Sequence, residues 1–265
     1  MIKKFFLPIM AAAAFAACSD IADDDRFIVI DGVEQRRTVL IEEFTGQNCP
    51  NCPTAHKEIE TLVGQYPDAL IAVSIHAGDF GISSTARRPG LMQPEGNIYN
   101  NRYGIDEWPK GVVNGRGGAR NFDEWSDAVR DELKRETPLG IDIAAQASAD
   151  TPATITVDCS LLSTADLAGT LHIWIVESGI VARQVDKDLG LITDYVHDHV
   201  YRAAVNGVDG EALALKAHIS SQLQHSIAAR ATDSETWNID NLSVVAFVRL
   251  PDGSVAQAAQ CKVAI

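Results

Sequence analysis

The rhythm of apolar positions changes near residue 140. Before that point, short β-branched runs alternate with stretches of helical spacing. Val39-Leu40-Ile41-Glu42-Glu43-Phe44 predicts a strand, and Thr54 to about Gln65 predicts a helix. Ala69 to His76 is an almost unbroken apolar run of strand length, the pattern of a parallel strand covered on both faces. Residues 77–103 are polar and carry Gly and Pro. They predict an insertion with one short helix near Asn97–Arg102. Asn114-Gly115 directly after Val112-Val113 is a hairpin signal. From Phe122 to about Glu136 the spacing is helical again, with Trp125, Val129 and Leu133 on one stripe.

From Gly140 onward the pattern is that of strands. Ile141–Ala144 and Ala153–Cys159 alternate, while Leu171–Val176 and Leu242–Val248 are more densely apolar. Asn241–Arg249 and Ser254–Ala264 are joined by Leu250-Pro251-Asp252-Gly253, a turn composition. Many strands at short spacing with few helical stretches predict an antiparallel, Ig-like β-sandwich. The expected organisation is therefore an α/β domain over residues 38–137 and an all-β sandwich over 138–265.

The N-terminus bears on location. Met1-Ile2-Lys3-Lys4 is basic, and the apolar stretch from Phe5 to Phe15 is too short to span a bilayer as a helix. Phe15-Ala16-Ala17-Cys18 resembles a bacterial lipobox, which implies a signal peptide over 1–17 and acylation of Cys18. An acylated Cys18 would anchor the chain to a membrane, since each buried methylene contributes about 0.8 kcal/mol. Residues 18–37, with Asp20 and Asp23-Asp24-Asp25, then read as an acidic tether. Loss of residues 1–17 removes Lys3 and Lys4 and no acid, so the formal charge falls from −14 to −16. That balance excludes a nucleic-acid partner, for nothing offers a basic track to phosphates.

The chemistry concentrates in Cys49-Pro50-Asn51-Cys52. Two intervening residues bring both sulfurs within one turn at a helix start, where unpaired N–H groups favour thiolate. Pro50 and Pro53 suit a first helical turn. Strand, turn and CxxC at a helix start is the layout of a thiol–disulfide centre, although an inert disulfide has the same spacing. Zinc would need a second ligand pair, and Cys18, Cys159 and Cys261 supply none at short spacing. No cofactor or metal is expected.

Residues 38–137 resemble the thioredoxin fold on three elements: the CxxC after a central strand, Glu43 six residues before Cys49, and the Trp108-Pro109 step before a hairpin strand. The resemblance implies that Cys49 and Cys52 exchange disulfides with protein thiols. It implies that Glu43 moves protons, that Pro109 is cis and packs near the disulfide, and that the Trp108 main chain is free to pair with a substrate peptide. The chain departs from that family in Asn48, where thioredoxins carry Trp, and in Pro50-Asn51, where they carry Gly-Pro, so the redox potential does not transfer. By strand alternation either Glu42 or Glu43 could be the inward acid. The mature chain also resembles the 28-kDa outer membrane protein family of Bacteroidota-type lipoproteins. The carrying residues are Glu42–Gly46, Cys49–Pro53, Ala55-His56, Asp194–Val200, Arg202–Ala204, Asn241–Phe247 and Gln257–Gln260. This implies a lipid-anchored outer membrane protein, facing the periplasm or the cell surface.

Other residues leave alternatives. His197 and His199 could share an ion if that segment is extended, but no third ligand stands nearby in sequence. His56 is expected to face outward. His76, at the end of a central strand, is a candidate substrate contact. Cys159 and Cys261 either form a bridge, whose loop of roughly 100 residues could add ~4.7 kcal/mol in the chain-entropy model, or remain buried thiols. Two functions follow: a thiol–disulfide oxidoreductase, or a surface binding or adhesin-like lipoprotein with a structural disulfide.

Overall fold

The structure is a computed structural model and describes residues 36–232 and 234–265. The signal segment, Cys18 and the tether as far as residue 35 lie outside the described residues. The chain begins with strand β1 (Val39–Thr45), helix α1 (Cys52–Gln65) and strand β2 (Leu70–His76). Helix α2 (Pro94–Arg102), the hairpin β3 (Lys110–Val113) and β4 (Arg116–Arg120), and helix α3 (Trp125–Leu133) follow. β5 (Leu139–Ala147), β6 (Thr154–Ser163) and β7 (Leu167–Glu177) come next, then the hairpin β8 (Ile180–Asp186) and β9 (Gly190–His197). β10 (Val200–Ala204), β11 (Glu211–Leu215), β12 (Ser221–Ala228), β13 (Leu242–Arg249) and β14 (Val255–Ala264) complete it.

Alternation along β1 and β2 sorts their side chains into two layers. Val39 and Ile41 of β1, with Leu70 and Ala72 of β2, pack under α1 and α3 against Ile59, Leu62, Trp125 and Val129. Leu40 and Phe44, with Ile71, Val73 and Ile75, face the opposite layer. The β3–β4 turn sits at Asn114 and Gly115, with φ of 48° and 66°, the left-handed pair that a tight hairpin requires. Gly111 is fixed by packing, since a Cβ there would lie 2.4 Å from the Trp125 ring.

The expected α/β thioredoxin-like domain followed by a separate Ig-like sandwich is overturned. Twelve strands form one mixed sheet in the order β12-β6-β5-β14-β13-β7-β10-β2-β1-β3-β4, with β11 also on β7. The join is β10, which runs parallel to β2 through Val200 and Ser74 and antiparallel to β7. One core crosses residue 138, holding Leu40, Phe44 and Ile75 together with Trp174, Tyr201, Val245 and Phe247. The cause lies in β7 and β13, each apolar on both faces. Ile173, Ile175, Val244 and Ala246 point into a second core, where they meet Ile155, Val157 and Leu161 of β6. β6 and β7 are four positions apart in the sheet, roughly 19 Å if it were flat, and no α-helix among the described residues contributes to that core. The sheet therefore curls on itself to enclose it.

Both glutamates of β1 are buried, on opposite faces. Glu42 meets Arg249, whose Nη2 lies 3.1 Å from both carboxylate oxygens, and accepts from the Tyr103 hydroxyl at 2.8 Å. Arg37, inside the expected tether, is docked onto the fold and donates to Glu132 and to the carbonyls of Val255 and Ala256.

Candidate functional site

The sequence around the cysteines forces a tight corner. A Cβ on Gly46 would lie 2.5 Å from the Phe80 carbonyl, so only glycine lets β1 turn there. The Cys49 amide then donates to the Gly46 carbonyl at 3.0 Å. Helix α1 starts at Cys52, two residues earlier than the sequence predicts, with Pro53 in its first turn. Cys49 lies in the loop before it. The two cysteines are disulfide-bonded, with Cα atoms 5.5 Å apart, and neither has exposed surface.

Glu43 is the acid on the α1 side. It is fully buried, accepts from the Ser74 hydroxyl at 2.6 Å, and its other oxygen lies 3.4 Å from His56 Nε2. Burial pushes its carboxyl from the ordinary 4.5 up to about 7, against the opposing Ser74 hydrogen bond. His56, which the sequence reading turns outward, faces inward instead. Its Nε2 is 2.9 Å from Thr45 Oγ1 and its Nδ1 is 2.9 Å from the Tyr195 hydroxyl. Burial lowers the His56 pKa to about 4, so the ring is neutral at pH 7. A neutral ring with its proton on Nε2 takes the Tyr195 O–H at Nδ1 and donates toward Thr45 and Glu43. Tyr195 is half-buried on β9. The row therefore leads from a buried carboxyl toward the surface.

His76 ends β2 and is 2 % exposed, with both ring nitrogens lacking hydrogen-bond partners. Burial holds its pKa well below the usual imidazole value. It lies under His197, ring centroids 5.3 Å apart, and so offers no free surface to a substrate. Glu43, His56, Ser74, His76, Tyr195 and His197 line a cavity of about 20 Å³, room for a water molecule. His199 has φ of 58°, which breaks the extended alternation that a paired 197/199 site requires. Among the described residues no three His, Cys, Asp or Glu side chains are grouped to hold a metal ion.

The Trp108–Pro109 bond is cis and Pro109 is buried. Lys110 pairs with Phe44, so Pro109 stands beside the end of β1 from which the CxxC loop departs. The Trp108 ring packs on Gly78, where a Cβ would lie 2.0 Å from it, and edge-on to Phe80. Cys159 and Cys261 are not bridged. Cys159 pairs with Ile143 of β5, and the β5–β14 register carries Cys261 to the far side of that residue. One intervening strand separates the thiols by two strand spacings, roughly 9.6 Å, which is beyond disulfide reach.

The cover over the cysteines is the β8–β9 hairpin, which sequence reading misses. Val185 N–H donates to the Gln47 carbonyl and Lys187 N–H to the Pro50 carbonyl, both at 2.9 Å. The buried Gln184 amide donates to the carbonyls of Cys49 at 2.9 Å and Gly46 at 3.3 Å. Arg183 reaches Asn48 Oδ1 at 3.0 Å. His56 was findable, because it lies four residues after Cys52 and so on the same helical face. Gln184 and Tyr195 carry no such signal.

Comparison with known proteins sets the chain in context. HBP35 of Porphyromonas gingivalis superposes with a TM-score of 0.69 at 17 % identity, covering 86 % of this chain and 76 % of that one. A structural-genomics protein of Agrobacterium tumefaciens gives 0.50 at 12 % identity, covering 85 % and 95 %. A domain of the outer membrane lipoprotein Omp28 from Porphyromonas gingivalis matches at 20 % identity with a TM-score of 0.35, over 48 % of this chain and 89 % of that one. At such identities the first two likenesses speak for the fold alone. No curated protein matches the chain. The sequence profile of outer membrane protein Omp28 matches residues 96–265. With well over half its length so matched, the chain belongs to the outer membrane protein Omp28 family, and its place is the outer membrane.

Proposed function

We propose that the chain is a lipid-anchored thiol–disulfide oxidoreductase of the outer membrane, held by acylated Cys18 and acting on protein thiols or disulfides. The observation that carries this reading is the Cys49–Cys52 bond at the start of α1, the helix whose His56 lies 3.4 Å from a buried Glu43 with a carboxyl pKa raised to about 7. A substrate thiolate attacks Cys49 Sγ. The Cys49–Cys52 bond breaks, and Cys52 leaves as a thiolate at the helix N-terminus, where the dipole and free N–H groups favour it. Glu43 supplies its proton and is reprotonated through His56 and Tyr195. A second substrate thiolate attacks the substrate sulfur of the mixed disulfide, and Cys49 leaves as a thiolate that takes its proton from water. Two electrons and two protons pass from a substrate dithiol to the cysteine pair, and the reverse sequence reduces a substrate disulfide. Cis-Pro109 shapes the adjoining edge with no N–H to compete.

A second reading has its own observation. Both sulfurs lack exposed surface, as an inert bridge in a surface binding or adhesin-like lipoprotein would. Titration of the Cys49–Cys52 couple in glutathione buffers, with an insulin-reduction and a refolding assay, separates the two. The oxidoreductase gives a potential within the range of exchange catalysts, with turnover. A potential below about −300 mV and no turnover marks a structural bridge.

A further inference from the structure

The β8–β9 hairpin forms a two-stranded sheet of its own, hydrogen-bonded to no strand of the larger one. An isolated two-stranded hairpin is marginally stable in water, so its order depends on what it lies against. On the cysteine side, two main-chain donors of the hairpin segment pair with the Gln47 and Pro50 carbonyls that flank the disulfide. Bonds of this kind are the ones a strand makes when it is added to an edge. The Gln184 amide nitrogen donates to three carbonyls, while its buried Oε1 has no partner. A buried acceptor left unpaired weakens the attachment. On the outer side Val181, Leu191 and Val196 are more than half exposed and Leu189 is 75 % exposed.

We propose that residues 180–197 are a displaceable strap over the Cys49–Cys52 bond, and that an extended polypeptide strand takes its place on the Gln47 and Pro50 carbonyls. The proposal rests on the oxidoreductase reading for its purpose but not for its test. The strap already shows the chemistry of its replacement: main-chain N–H groups in extended geometry. Small thiols cannot supply a run of such donors in extended geometry, so the closed strap slows their access and favours polypeptides that can compete for the edge. Opening costs the two main-chain bonds, the Gln184 contacts, the Arg183–Asn48, Gln47–Arg183 and Tyr195–His56 bonds, and the packing of Ile180 and Ala182 on Leu91 and Val200. Those are few enough for local rather than global unfolding.

The test follows reduction of the bond in the folded chain by a trialkylphosphine, which becomes its oxide as the disulfide becomes two thiols. Alkylation and mass analysis read the rate. Gln184→Ala and Val185→Pro, which loses the donor to Gln47, are expected to react at least tenfold faster than the parent. Tyr195→Phe, which removes only a hydroxyl, gives a smaller rise and serves where the others fail to fold. A peptide copying residues 180–187 is expected to slow Val185→Pro again, and a scrambled peptide is not. Rates equal to the parent's in all three variants overturn the strap. Faster rates that the copied peptide leaves unchanged overturn the polypeptide as its replacement. A chemical reductant reads strap opening whether or not the chain turns over protein substrates, so failure of either idea is visible separately.

Discussion

Replacing Glu43 with Gln isolates the buried carboxyl. In the folded chain burial raises its pKa from 4.5 to about 7, while unfolding returns it to the ordinary value. A raised folded pKa means that the native state holds the proton more tightly. The stability this confers is complete below pH 4.5 and is lost as pH rises through 7. Each unit corresponds to about 1.36 kcal/mol, so the ionised carboxyl costs on the order of 3 kcal/mol once pH passes 7. His56 works in the opposite sense, its pKa lowered to about 4, so stability is lost as pH falls from 6.5 toward 4. Burial lowers His76, His172, His197 and His199 in the same sense; these histidines stand in parent and variant alike, so the difference between the two curves reads Glu43. Urea denaturation from pH 4.5 to 8 is expected to show the parent losing stability relative to Glu43→Gln, most of it between pH 4.5 and 7. At pH 8 the variant gains on the parent by up to ~3 kcal/mol relative to pH 4.5. Parallel curves would refute a protonatable Glu43 in this pH range.

Two further outcomes test the rest of the fold. Arg249→Met strands the buried Glu42 with only the Tyr103 hydroxyl, and urea denaturation is expected to show a loss of about 3–5 kcal/mol; Glu42→Leu added to it restores most of that loss, and a single-variant cost under about 1 kcal/mol contradicts the pair's role. Alkylation of the unfolded, unreduced chain is expected to modify both Cys159 and Cys261, whereas unmodified residues at both positions would show a bridge.

Local chemistry was legible in the sequence where neighbours along the chain decide it. The strand before the CxxC, the Asn114-Gly115 turn and the amphipathic α3 follow from side-chain period and turn residues. Helix α1 began two residues early because Cys52 and Pro53 already satisfy a first turn. The domain division misled because a densely apolar strand does not state which two layers it separates. Leu171–Val176 and Leu242–Val248 carry apolar side chains on both faces, and a sandwich strand needs them on one. The site was half legible: Glu43, Cys49 and Cys52 stand at readable spacings. Gln184 and Tyr195 reach it only through the docking of a hairpin more than 130 residues away in sequence, and no periodicity encodes that.

Because β10 supplies the strand beside β2, the sheet begun at residue 39 is finished only after residue 200. A fragment ending at residue 137 would leave the β2 edge unpaired and Phe44 and Ile75 facing water, an invitation to foreign strands. The molecule should accordingly melt in a single transition, with β13 and the cysteine loop losing structure together. Injury to a strand near the C-terminus would reach the disulfide as surely as a change beside it.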